Sequence, residues 1–376
     1  MSEFTKLDFN QGELNQTLAG LLRDMLDKGV VDAVMVPAVQ PGERVMQTLI
    51  TDAGRLEGID PFAPMVPINS AKLASALTAT PSGRPVAAVL RSCEVRALVE
   101  LVKLKQADLG DLVLIGLDCL GRYENADYRA FREGGGTAES FIEGALAGKT
   151  EAGDVDVNLA CKACEYPVAD NVDIRLCLIG ADPGALHVEW ISEKGRVVRE
   201  KLGLDAGEAP AGRDDAVKAL TAKRVEVRDE QFAAFRDATG DLHKLQDHLA
   251  GCINCYNCRV ACPVCYCKEC VFVTDTFRHA GDQYMSWADS GGALKMPTDT
   301  VFYHLTRLIH MSTLCVGCGQ CTSACPNDIE LMPLFRSVSE KTQARFDYLA
   351  GRALDEPQPL ATFHDDELIE VTGQVK

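Results

Sequence analysis

The chain has 376 residues, 47% hydrophobic and 25% charged, an ordinary globular balance with room for two or three cored domains. Its formal net charge of −17 repels phosphate backbones, which argues against nucleic acid as a partner. No apolar run reaches membrane-spanning length, and the first sixteen residues lack a basic n-region and an apolar h-region, so the sequence reads as cytoplasmic, without a membrane span. In that reducing compartment sixteen cysteines make a metal-ligand set rather than a disulfide framework.

Leu14, Leu18, Leu21, Leu22, Met25 and Leu26 recur at helical spacing and predict a helix over 12–28, ended by Gly29. Residues 30–37 read as a strand, Leu49 and Ile50 as part of another, and 71–77 as a helix that stops before Pro81-Ser82-Gly83. The run 85–90 is continuously apolar, as in a buried parallel strand. Ser92 then stands where it can cap a helix whose apolar stripe is Val95, Leu98, Val99, Val102 and Leu104. Residues 111–118 form a second buried strand, ending at Cys119, and 173–180 a third. Strand, helix, strand in this order predicts an α/β layer. Gly134-Gly135-Gly136 and 145–158 read as loop, and 188–191 with 196–198 as a hairpin about Gly195. Residues 204–213 read as a linker, with helices following over 214–222 and 228–249. Further helices are expected over 298–311 and near 333–348, and the acidic tail 353–376 is expected to lie along a surface.

The cysteine-rich stretch carries the chemistry. Cys252, Cys255, Cys258, Cys262 and Pro263 follow the spacing C-x2-C-x2-C-x3-C-P, and Cys315, Cys318, Cys321, Cys325 and Pro326 repeat it. That run holds [4Fe–4S] clusters in bacterial-type ferredoxins, where the fourth cysteine of each run serves the other cluster. The expected ligand sets are therefore Cys252, Cys255, Cys258 and Cys325 for one cluster, and Cys315, Cys318, Cys321 and Cys262 for the other. Zinc also uses C-x2-C pairs, but rarely three cysteines at this spacing before Cys-Pro, twice over. The long insertion between the runs, 271–311, is expected to pack over the clusters and to dock a partner. Cys265, Cys267 and Cys270 exceed the eight ligands needed; they are free thiols or part of a further metal site.

A second set lies upstream. Cys93 and Cys119 each sit where an apolar strand ends, and strand C-termini in an α/β sheet share one edge. The pair Cys161-Lys162-Ala163-Cys164 could fold over that edge and complete a four-thiolate site; otherwise these are core cysteines and an unrelated C-x2-C. Cys177, mid-strand, reads as core, and His310, five residues before Cys315, as packing at most a neighbour of the ligands. No glycine-rich phosphate fingerprint follows a strand, so a Rossmann dinucleotide site is not expected.

The segments Asn69-Ser-Ala-Lys72, Val86 to Leu98 around Arg91-Ser92-Cys93-Glu94, Ile115 to Cys119, Cys161 to Pro167, and the stretch 303–331 resemble, in that order, the beta-subunit family of coenzyme F420-dependent hydrogenases and formate dehydrogenases. The last segment is similar to formate dehydrogenase beta subunits in particular. The resemblance implies an α/β N-terminal flavin and iron–sulfur domain over 1–203, a helical linker over 204–250, and a helical two-cluster ferredoxin-like domain over 251–352. It implies a [4Fe–4S] cluster on Cys93, Cys119, Cys161 and Cys164, and FAD near the strand ends, with Asn69, Ser70, Lys72, Arg91 and Ser92 as candidate contacts. One departure stands out: the family's Thr-Pro before this first cysteine and Gln after it are Arg91-Ser92 and Glu94 here, which puts the carrier-binding surface in doubt.

The implied function is electron transfer between iron–sulfur clusters and FAD, coupling a catalytic formate dehydrogenase or hydrogenase subunit to a two-electron carrier such as coenzyme F420. Clusters move single electrons and a flavin handles one or two, so the flavin belongs between them. The chain shows no molybdenum, tungsten or nickel site, so oxidation of formate or hydrogen falls to another subunit. The rival reading is a flavin-free relay bridging such an enzyme and a heterodisulfide-reductase-type complex; a zinc-stabilised scaffold is the third.

Overall fold

The computed structural model describes residues 3–361. The part of the expected tail beyond 361 lies outside the described residues. Seven strands form one mixed sheet in the order β1-β7-β6-β5-β4-β2-β3. They are β1 (Glu3–Asp8), β2 (Ala33–Gln40), β3 (Arg44–Ile50), β4 (Val86–Arg91), β5 (Leu112–Leu117), β6 (Ile174–Cys177) and β7 (Ala185–Trp190). The centre β2-β4-β5-β6 is parallel, and β1, β7 and β3 add to its edges antiparallel. β4 and β5 are buried at every position, as continuously apolar runs in a doubly covered sheet should be. β1 was not expected: EFTKLD is half charged, and only its pairing with β7 makes it a strand.

The helices fall in three groups. The first is α1 (Leu14–Asp27), α2 (Ala71–Thr78), α3 (Ser92–Lys103), α4 (Asn125–Glu133), α5 (Ala138–Leu146), α6 (Leu159–Lys162) and α7 (Glu193–Leu202). The second is the connecting pair α8 (Arg213–Ala238) and α9 (Leu242–His248). The third, in the cysteine-rich part, is α10 (Asn257–Ala261), α11 (Gly281–Gly291), α12 (Thr300–Met311), α13 (Gln320–Ser323) and α14 (Leu331–Arg345). None of the described helices is long and apolar enough to cross a membrane.

Several expectations need correction. No hairpin surrounds Gly195; the segment is the first turn of α7, capped by Ser192, whose Oγ accepts from the Gly195 N–H at 3.0 Å. Gly195 is there for space, since a Cβ would stand 2.2 Å from the Asp173 carbonyl oxygen. Ser92 does not cap α3 with its side chain. The Glu94 carboxylate accepts from the Arg91 N–H at 2.8 Å and from the Ser70 N–H at 2.9 Å. The expected break near 223–227 is absent because α8 runs unbroken through it. The expected tail is partly internal, with Gln358 buried on α3.

The two faces of the sheet carry different cores. One is closed by α1 and the aromatic set Tyr123, Phe131 and Phe141. On the other, Leu90, Val95, Leu98 and Leu114 share a continuous apolar cluster with Phe272, Tyr303, Met311, Val316 and Phe335 of the cysteine-rich part. That part therefore completes the sheet's core rather than hanging from a tether. Two buried polar links fasten it. Arg96 of α3 donates to the Ala350 carbonyl at 2.8 Å and the Val316 carbonyl at 3.2 Å. Glu100, fully buried, accepts from the Tyr348 hydroxyl, the Gly351 N–H and the Gln358 amide.

Candidate metal centres

The sheet register decides which cysteines can meet. Arg91 of β4 lies opposite Leu117 of β5, so the chain continues from the two strand ends into Cys93 and Cys119 on one edge. The loop after α6 is tied to that edge, because the Cys119 N–H donates to the Pro167 carbonyl at 2.7 Å. Asn158 caps α6 by accepting from the Ala160 N–H at 2.8 Å, which orients Cys161 and Cys164. The result is a cavity of about 490 Å³, open mouth included, whose wall contains Cys93, Cys119, Cys161 and Cys164. Arg91, Arg122 and Arg224 also line it, and the Arg91 guanidinium approaches the Cys119 Sγ at 3.7 Å.

Two further cavities lie in the cysteine-rich part. An outer one, about 330 Å³, is lined by Cys252, Cys255, Cys258 and Cys325. A middle one, about 400 Å³, is lined by Cys262, Cys315, Cys318 and Cys321. Each run thus contributes three cysteines to one cavity and its fourth to the other. Cys318 and Gly317 belong to the walls of both the middle and the N-terminal cavity.

Gly319 makes that junction possible. Its φ is +76°, and a Cβ there would stand 2.6 Å from the Ala160 Cβ. Gly319→Ala combines a left-handed alanine with overpacking and is expected to cost about 1–3 kcal/mol, read as a lowered denaturant midpoint.

Burial sets the protonation state of these thiols. Burial pushes the Cys161 thiol up to about 11 and the Cys318 thiol up to about 12. Cys93 and Cys321 are raised well above the ordinary thiol range by the same cause. Thiolates in these cavities therefore need a bound cation to be held, and sulfur-only donor sets are of the kind that iron–sulfur clusters use. Among the described residues no three His, Cys, Asp or Glu side chains converge on a single ion, as a mononuclear zinc site would require.

The face of α12 that looks inward was not anticipated. Tyr303, His304 and Arg307 are buried on it. The Tyr303 hydroxyl lies 3.4 Å from the Cys258 Sγ, and His304 Nε2 lies 3.4 Å from the Cys252 Sγ. Burial, then the Arg307 charge, pushes His304 down to about 3, so a neutral imidazole faces Cys252. His310, the histidine singled out by its closeness to Cys315, is exposed. The helical spacing Tyr303, Arg307, Met311 was the signal available for this face. The insertion reaches the outer cavity through Tyr303 and His304 in its wall, and Phe272 backs Tyr303 with ring centroids 5.1 Å apart.

Cys265, Cys267 and Cys270 line none of the three cysteine cavities. Cys177 is fully buried in β6. Of the five candidate flavin contacts, four make hydrogen bonds within the protein. Asn69 Oδ1 accepts from the Ala71 N–H, and the Ser70 hydroxyl lies 3.4 Å from Gln47 Oε1. Lys72 donates to the Val260 carbonyl at 2.8 Å, and Arg91 donates to the Pro61, Ala63 and Gly121 carbonyls. Only Ser92 Oγ is buried without a partner, and Ser92 lines the N-terminal cysteine cavity.

The 4Fe-4S dicluster domain family matches residues 248–329. The F420-dependent formate dehydrogenase subunit beta of Methanocaldococcus jannaschii is 26% identical, over 91% of this chain and 93% of its own. The chain is a homologue of formate dehydrogenase beta subunits. The F420-dependent formate dehydrogenase 1 subunit beta of Methanococcus maripaludis is likewise 25% identical, over 93% of this chain and 94% of its own. A chain of the F420-reducing [NiFe] hydrogenase complex from Methanosarcina barkeri matches in structure with a TM-score of 0.46 and 14% identity, over 64% of this chain and 93% of that one. The resemblance to formate dehydrogenase beta subunits read from the sequence is thus borne out by relatives that span nearly the whole chain.

Proposed function

We propose that this beta-subunit homologue is the electron-transfer arm of a formate dehydrogenase-type or hydrogenase-type complex, with a [4Fe–4S] cluster in each of its three four-cysteine cavities. The observation that carries this reading is the run of outer, middle and N-terminal cavities, the last two sharing Cys318. Cubane clusters, when bound, supply one-electron steps at potentials tunable over roughly −700 to +450 mV. The protein's own residues supply the rest. Cysteines fix the three centres in sequence, and a shared apolar core packs beside them. Arg91, Arg122 and Arg224 place positive charge around the N-terminal centre. Oxidation of formate or hydrogen falls to a partner subunit, and the proposed soluble carrier is coenzyme F420, for which the relatives are named.

A flavin belongs to the proposal as the converter between single electrons and pairs. The side chains of Asn69, Ser70, Lys72 and Arg91 do not form a free pyrophosphate cradle, so no step is drawn through them. That observation favours a second reading, a flavin-free relay between two enzymes. Anaerobic purification with the native partner separates the two. About twelve iron and twelve sulfide per chain are expected. Flavin fluorescence released on denaturation supports the first reading, and its absence from a fully iron-loaded preparation leaves the relay. Zinc in place of iron overturns both.

A further inference from the structure

Arg307 is an inward-facing residue of α12 whose charge no carboxylate among the described residues answers. It is 5% exposed, and among the described residues it has no carboxylate partner. One nitrogen, Nη2, donates to the Cys258 carbonyl at 3.2 Å. The guanidinium packs over the Phe335 ring at 4.5 Å, which fixes its plane. Nε and Nη1 are buried and have no hydrogen-bond partner. Other buried arginines differ: Arg213 is bidentate to Asp118, and Arg91, Arg96 and Arg224 donate to backbone carbonyls. A buried charged donor left unpaired is costly, so Nε and Nη1 require an acceptor that they do not find among the described residues. Arg307 lines the middle cavity together with Cys262, Cys315 and Cys321, while its Nη2 holds the loop of the outer one.

We propose that Arg307 is the potential-setting cation of the middle iron–sulfur centre: Nε–H and Nη1–H donate to sulfur in that cavity, while Nη2 ties the same charge to the outer centre's Cys258 loop. The inference rests on the iron–sulfur reading above. The step it acts on is a one-electron transfer. The middle centre gains one electron from the outer one, or from dithionite in the test, and no bond forms or breaks. Its net charge becomes more negative by one unit, so a fixed adjacent cation stabilises the reduced form and raises the potential. Arginine's planar fork holds two donors in a fixed relative geometry, which the rotatable ammonium of a lysine does not.

The test uses the full chain, reconstituted anaerobically with iron and sulfide, and follows the reduced-state paramagnetic signals during a redox titration. Arg307→Met is expected to keep its iron and sulfide and to lower one midpoint. At the wild-type midpoint its reduced-to-oxidised ratio falls about tenfold, a shift of about 59 mV for one electron. Arg307→Lys keeps the charge but loses the fork, and a smaller fall, about threefold, is expected. A loaded Arg307→Met with unmoved midpoints overturns the proposal. Should only the lysine variant load, a midpoint equal to wild type overturns it. Loss of middle-centre iron from both variants with the fold intact replaces it with an assembly role. Wild-type chain that takes up no iron and sulfide overturns the iron–sulfur reading itself.

Discussion

Cys325→Ala and Cys252→Ala will lose the same iron–sulfur centre, and Cys262→Ala will match Cys315→Ala. Each pair is expected to retain about eight of the roughly twelve irons, with identical residual paramagnetic spectra within the pair and different spectra between pairs. The expectation follows from the cavity walls. Cys325 faces Cys252, Cys255 and Cys258 although it ends the second run, and Cys262 faces Cys315, Cys318 and Cys321 although it ends the first. Sequential assignment, each run serving its own centre, predicts the opposite pairing: Cys325→Ala would match Cys315→Ala. The two outcomes cannot be confused, because the surroundings of the two centres differ. The outer centre is contacted by a tyrosine hydroxyl and a neutral histidine, the middle one by the Met311 thioether at 4.0 Å from the Cys262 Sγ. Iron analysis gives the loss, and the low-temperature spectra give the identity.

Glu100→Ala is expected to destabilise the chain by about 3–5 kcal/mol, the scale for removing one partner of a buried ionic network. Glu100 is fully buried on α3 and collects the Tyr348 hydroxyl at 2.6 Å, the Gly351 N–H at 2.7 Å, the Gln358 amide at 2.8 Å and the Lys103 ammonium at 3.2 Å. Alanine leaves all four donors facing a void. The variant should show a lower midpoint in chemical denaturation, with the stretch after α14 becoming the first protease-sensitive site. Glu100→Gln, which retains one of the two acceptor oxygens, should lose less. An alanine variant as stable as wild type would mean that the C-terminal stretch does not help hold the sheet to the cysteine-rich part.

How much of this was readable in the sequence depends on the range of the interactions. The eight ferredoxin-type cysteines were legible because short C-x2-C spacing is dictated by the local geometry of ligation. The strands β4 and β5 were legible because full burial leaves an unbroken apolar run. The hairpin about Gly195 was misread because that glycine answers a neighbour, the Asp173 carbonyl, not a local turn. β1 was missed because its half-charged sequence becomes a strand only against β7. The polar face of α12 was missed because Tyr303, His304 and Arg307 follow ordinary helical spacing, and only the fold shows that they look into cysteine cavities. The flavin candidates had the right residue types, but Arg91 and Lys72 meet carbonyls far away in the chain, which no spacing rule reveals.

The wall that Cys318 shares has a consequence for the order of synthesis. The N-terminal cavity draws its other cysteines from residues 93–164, which leave the ribosome early, yet Gly317, Cys318 and Gln320 close it. Until those residues emerge, more than a hundred and fifty positions later, the four earlier thiols face an open side. A cofactor held there, as proposed above, would gain its last wall only when residues 317–320 have been made.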